Sequence, residues 1–386
     1  MKIIIALDSF KECLTSKEAG EAAAKGVRKI FPSCDVVQFP VADGGEGMLD
    51  ALIVATGGKR IFLRAHNPMM EIHDTCYGIS GDRQTAFIEM AAISGLPLIP
   101  EEKRNPMLTT SYGTGELICH ALDLGCRNFI IGLGGSATND AGLGMLQALG
   151  FRFLDKTGAD IIHTIAPNVP KRGMCGELLA EVASIDSSAA HPALKDTHFV
   201  AACDVKNTFI GPKGASFVFA PQKGADREMV TKLDANMKKL SGVICQYTGK
   251  DISNIPGSGA AGGMGGGLQA FLNAELKSGI QLLLDFLHFA ERIKGADLII
   301  TGEGKADRQT IMGKVPSGIL QEAQKQQIPV ILLAGKIEDK EILDKAGFKE
   351  VLSINSPSIS PKKAMEPAYA KANIQRIVEE ICRRNI

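Results

Sequence analysis

The sequence has no surplus of charge. Its 43 basic and 43 acidic residues leave the 386-residue chain formally neutral, with no basic arm that would point to nucleic acid and no one-sign field that would point to a membrane surface. Nine cysteines are scattered without a Cys-x-x-Cys pair or a Cys/His cluster at zinc spacing, which predicts reduced thiols in a cytosolic protein. No secretory leader or membrane span is expected, because Met1-Lys2 leads directly into the short run Ile3-Ile4-Ile5. A cytoplasmic location follows as the expectation. Several catalytic signatures are also missing. There is no Walker A motif; Gly313-Lys314 comes nearest, but Val315 stands where the hydroxyl should be. Protein-kinase signatures, a Gly-x-Ser-x-Gly elbow and a metal-type histidine pair are absent as well.

What is present describes a globular α/β protein: 45% hydrophobic residues, 22% charged residues and 42 glycines. The length favours two domains over one core. Lys2–Leu7 and Asp35–Pro40 read as strands, each followed by a polar loop and a helix. Two βα units in succession predict a parallel sheet with its ligand edge at the strand carboxyl ends. The first helix, from about Lys17 to Ile30, has Thr15 or Ser16 as cap and Glu18 in its first turn. Between Arg60 and Met90 three strand candidates follow without helices, and a hairpin is expected around Phe151–Asp160. Regular alternation returns after a helix over Leu282–Ile293. The pattern predicts an α/β protein of two domains: a Rossmann-like parallel-sheet domain from residues 1–67 and 280–386, and an inserted mixed-sheet domain over 68–279. The site is expected in the cleft between them.

Two glycine stretches stand out. In Asn128–Leu146 a short apolar strand runs into Gly132, Gly134, Gly135, Ser136, Thr138, Asn139 and Asp140, and then into apolar residues at helical spacing. Small residues and free amides at a helix start suit a phosphate or a carboxylate. The alternative is an ordinary βα connection with Asn139 or Asp140 as the cap. The second stretch, Pro256–Gly267, holds seven glycines in twelve positions. It satisfies a dinucleotide fingerprint in letters, yet Pro256 stands where a long strand should lead in. An anion nest and a tight helix contact remain the competing explanations. Thr301–Asp307, at the end of Leu298-Ile299-Ile300, offers Glu303, Lys305 and Asp307 to Mg²⁺ and phosphate, or else is a solvated turn. Asp8, Lys11, Asp43, Asp204 and Asp307 all fall just past strand ends.

These motifs together resemble one family. Asp8-Ser9-Phe10-Lys11, Pro40–Gly47, Ser111–Ile118, Ile131–Gly144, Ala202–Val205, Pro221–Ala225, Pro256–Gly263 and Thr301–Gly313 are similar, in this order, to the bacterial type I glycerate kinases (glycerate 2-kinases). Lys305-Ala306 departs from a more usual Arg-Ile, and Met48 from Thr. The resemblance implies ATP-dependent phosphorylation of D-glycerate, typically to 2-phosphoglycerate, with Mg²⁺, in a monomer or homodimer with neither nucleic acid nor membrane as partner. Phosphoryl transfer asks for a base, a cation, a metal and a phosphate cradle. On that basis Asp204 is expected as base with Asp43 as its rival, Lys11 as the cation on the transferring group, and Asp8, Glu303 and Asp307 around Mg²⁺. Ser9, Gly44, Gly45, Gly134, Gly135, Ser136, Thr138, Asn139, Gly257, Ser258, Gly259 and Lys305 are expected to bind substrate or phosphate.

Overall fold

The computed structural model describes residues 1–10, 13–42, 47–165, 173–356 and 358–385. Within these the chain separates into two compact units, Met1–Ala51 with Ser278–Ile386, and Leu52–Lys277.

The first unit is built on a five-stranded parallel sheet. Its strands are β1 (Lys2–Leu7), β2 (Asp35–Gln38), β11 (Leu298–Ala306), β12 (Val330–Ile337) and β13 (Glu350–Ser353), in the order β13-β12-β11-β1-β2. The central strands are apolar on both faces because helices cover both. Ile3, Ile4, Ile5, Ile299, Ile300 and Ile331 are all fully buried, each contributing about 1.5–3 kcal/mol by leaving water. Thr15 caps the helix Ser16–Ile30 through a reciprocal box with Glu18. That helix packs on the last one, Pro367–Asn385, so closely that a Cβ at Gly26 would lie 2.7 Å from the Gln375 carbonyl oxygen. The helix expected over Leu282–Ile293 is broken in two, Gly279–Phe286 and Phe289–Arg292, by left-handed backbone at His288.

The second unit holds a six-stranded mixed sheet: β3 (Lys59–His66), β4 (Ile72–Ile79), β5 (Thr85–Glu89), β6 (Asn128–Gly132), β9 (His198–Ala202) and β10 (Glu275–Lys277), in the order β10-β9-β6-β5-β4-β3. The pairs β3–β4 and β4–β5 are antiparallel; the remaining pairs are parallel. The α/β class and the mixed character of the middle region are therefore as expected. The first crossing lies earlier than Asn67-Pro68, because β3 pairs with β4 along its whole length and so belongs to the second unit. The strand β7 (Arg152–Leu154) pairs mainly with a distant one, β8 (Ser184–Asp186); only a bridge from Leu154 to Asp160 closes a local turn. No helix among the described residues is long and apolar enough to cross a membrane.

Candidate active site

In the first unit the chain runs outward from β1 to β2 on one side and from β11 to β12 and β13 on the other. The reversal falls between β1 and β11, where open parallel sheets bind ligands beyond the strand ends. Leu7 pairs with Gly302 there, so Asp8 and Glu303 follow side by side on adjacent strands. They line a cavity of about 860 Å³ together with Ser9, Lys305, Lys314 and Lys336. The Asp8 carboxylate accepts from the Ser9 amide at 2.6 Å and is almost fully buried.

Glu303 is a perturbed carboxyl group in this cavity. Burial pushes its carboxyl above the usual range, and Thr310 and Lys314 oppose that shift. The Lys314 ammonium lies 3.3 Å from Oε2, while Oε1 is buried and has no hydrogen-bond partner among the described residues. A buried carboxylate oxygen left open in this way is costly unless something binds it. Asp307 behaves differently. Its Oδ1 accepts from the Gln309 amide at 2.8 Å and caps the 3₁₀ turn Arg308–Ile311, so it serves the backbone. Lys305 is half-exposed and bound to Glu338 at 2.9 Å. Among the described residues no group of three or more Asp, Glu, His or Cys side chains is gathered as a metal cage. Lys11, Asp43, Gly44 and Gly45 lie outside the described residues.

In the second unit Gly132 pairs with Ala202, so the loop after β6 and the segment Cys203-Asp204 after β9 leave the same edge side by side. Asp204 is exposed. Gly134 and Gly135 are exposed too, Gly135 in the left-handed region at φ 72°, and among the described residues their amides meet no acceptor. The rest of the loop is buried and tied down. The Asp140 carboxylate is wholly buried, and burial raises its pKa against the pull of the Ser111 hydroxyl and amide, each 2.7 Å away, and the amides of Gly142 and Gly144. Thr138 and Asn139 are fully buried, and the Asn139 amide donates to Ser216 at 3.2 Å, so this side chain is turned into the unit.

The second glycine stretch forms the bed of the first. The amides of Gly257 and Gly259 both donate to the Asn207 carbonyl, at 3.1 and 3.0 Å, and the buried Ser258 hydroxyl donates to the Ile255 carbonyl. A Cβ at Gly262 would lie 2.0 Å from the Thr138 carbonyl oxygen, and one at Gly267 would lie 2.3 Å from that of Ala141. Close backbone packing, rather than an open nest, explains these glycines. Sequence reasoning assigned no site role to two lysines, Lys314 and Lys223. Lys223 is 2% exposed and donates to the Ser136 hydroxyl and the Thr138 carbonyl, both at 2.7 Å. Its advance signal was its place in Pro221–Ala225, one of the stretches that resemble the glycerate kinases.

The family model described as the glycerate kinase family matches residues 3–385. The chain is 46% identical over 384 residues to a glycerate kinase of Bacillus cereus (strain ATCC 10987 / NRS 248), covering 99% of this chain and 97% of that one. It is likewise 46% identical over 389 residues to a glycerate 2-kinase of Escherichia coli (strain K12), covering 100% and 97%. A crystal structure from Salmonella typhimurium LT2, designated glycerate kinase 2, superposes with a TM-score of 0.87 at 42% identity, covering 99% of this chain and 97% of that one. The protein is thus an enzyme of the kinase class, a phosphotransferase with an alcohol group on a small molecule as acceptor. The chain belongs to the glycerate kinase family.

Proposed function

We propose that the protein transfers the γ-phosphoryl group of ATP to the 2-hydroxyl of D-glycerate, giving 2-phosphoglycerate and ADP. The observation that carries this reading is the match to the family along residues 3–385, at near-full coverage of relatives named glycerate kinase and glycerate 2-kinase. The site chemistry supports it. Phosphoryl transfer depends on positioning and charge stabilisation, which exposed loop amides and a rim of lysines can supply.

The exposed Gly134-Gly135 turn with Ser136 binds phosphate oxygens. Asp204, exposed at the end of β9, accepts the proton of the attacking hydroxyl, with Asp43 as the alternative base. Lys11 meets the developing charge on the transferred group. Magnesium in kinases is held by one or two carboxylates plus substrate phosphates, so a preformed three-ligand cage is not required. Asp8 and the open Oε1 of Glu303 fit that role. When bound, the ion would neutralise phosphate charge. Asp307, already committed as a cap, would contribute at most through water.

A kinetic panel tests the reading. With ATP and Mg²⁺, D-glycerate is expected to show the highest kcat/KM among small hydroxy acids and sugar acids. A preference for another acid by tenfold or more would reassign the acceptor.

A further inference from the structure

A lysine side chain rarely leaves water without a carboxylate within bonding distance. Among the described residues Lys223 does so, with two neutral oxygens as its acceptors: the Ser136 hydroxyl and the Thr138 carbonyl, each 2.7 Å from Nζ. Both belong to the loop that follows β6, on either side of Ala137. The same segment is fastened on its other side, where the Ala137 amide donates to the Ser94 carbonyl at 3.0 Å and the Leu96 amide donates to that of Gly135 at 2.9 Å. Below it, Asp140 collects four donors and Gly262 closes against the Thr138 carbonyl. The backbone of the loop is thus held from several sides, although Thr138 Oγ1 and Asn139 Oδ1 are buried without a partner among the described residues, and within the loop only Gly134 and Gly135 are exposed to solvent.

We propose that Lys223 is a positioning residue for nucleotide phosphate. It pins Ser136 and Thr138 from behind, so that the exposed Gly134-Gly135 turn keeps a fixed shape and its amides are pre-set for an anion. The proposal rests on the reading of this loop as the phosphate site and adds the device that holds it. The side chain touches no substrate; it acts through the loop, by the two hydrogen bonds it donates to Ser136 and Thr138. Pre-organised donors of this kind lose their value when they must be ordered at each binding event.

Lys223→Met keeps the length of the side chain and removes the charge and both hydrogen bonds. In the folded variant kcat/KM for ATP is expected to fall by about 10²-fold, the scale of a small misplacement of bound groups, while the KM for D-glycerate changes less than about threefold. Amide exchange at Ala137 is expected to quicken by about tenfold or more, reporting the loosened loop without any turnover. Should Lys223→Met fail to fold, Lys223→Gln, which retains a short amide donor, is expected to show the same two changes at smaller size. Unchanged ATP kinetics, a loss confined to the D-glycerate KM, or unaltered exchange at Ala137 would each overturn the proposal. Wild-type protein that transfers no phosphate to D-glycerate would instead overturn the functional reading, and the exchange experiment would still decide whether Lys223 holds the loop.

Discussion

Lys223 has a consequence for stability as well as for binding. Burial pushes its ammonium down to about 7, opposed only by the charge on Asp140. In the unfolded chain the same group titrates near 10.4, so between those values the unfolded state carries a proton that the folded state has shed. Stability from this residue therefore rises with pH across that window. Asp140 shifts in the opposite sense, upward, so its own contribution to stability falls as pH rises above the ordinary carboxyl range. Urea unfolding of wild type and Lys223→Met at pH 7 and pH 10 is expected to show a gain for wild type relative to the variant at the higher pH; a constant difference would contradict the burial argument. At the proposed base, Asp204→Asn is expected to lower kcat by roughly 10²–10⁴-fold with little change in the unfolding midpoint, since the side chain is exposed. Near-normal kcat would remove Asp204 as the base.

Among the elements, the two glycine stretches look alike in sequence and differ in role. A Cβ added at Gly134 would meet nothing within 4 Å, whereas one at Gly262 would meet the Thr138 carbonyl oxygen at 2.0 Å, on a backbone with a φ of 67°. Gly262→Ala should therefore cost about 3 kcal/mol through overpacking and left-handed strain, and Gly134→Ala less than about 0.5 kcal/mol. Denaturant melts compare them, and equal effects would refute the packed-bed account. Thr15→Ala should cost about 1 kcal/mol by removing the reciprocal cap. That cap was legible, because Thr15 and Glu18 stand at the spacing a capping box needs. The extent of β11 was not. Gly302, Glu303, Gly304 and Lys305 are poor strand formers, yet pairing with β12 carries the strand to Ala306. As a result Glu303 sits within a strand and is buried, where composition suggested a polar turn.

At the scale of the whole molecule, the inserted organisation was readable because βα alternation at both ends of the chain frames a middle with antiparallel strands. The first boundary was less readable, since a lone strand such as β3 shows its sheet only through the partner it pairs with. The candidate site divides in the same way. Residues at strand ends, such as Asp8 and Asp204, could be picked from sequence, since topology brings strand ends to one edge. Lys223 and Lys314 make contacts beyond their own turn, at 87 residues' separation in the Lys223–Ser136 bond, so their partners cannot be read from the local sequence. The central claim joins one acceptor to one position of transfer. The most direct measurement is ³¹P NMR of the product formed from D-glycerate, ATP and Mg²⁺. The account predicts the signal of 2-phosphoglycerate; 3-phosphoglycerate, or no phosphorylated glycerate from folded protein, would contradict it.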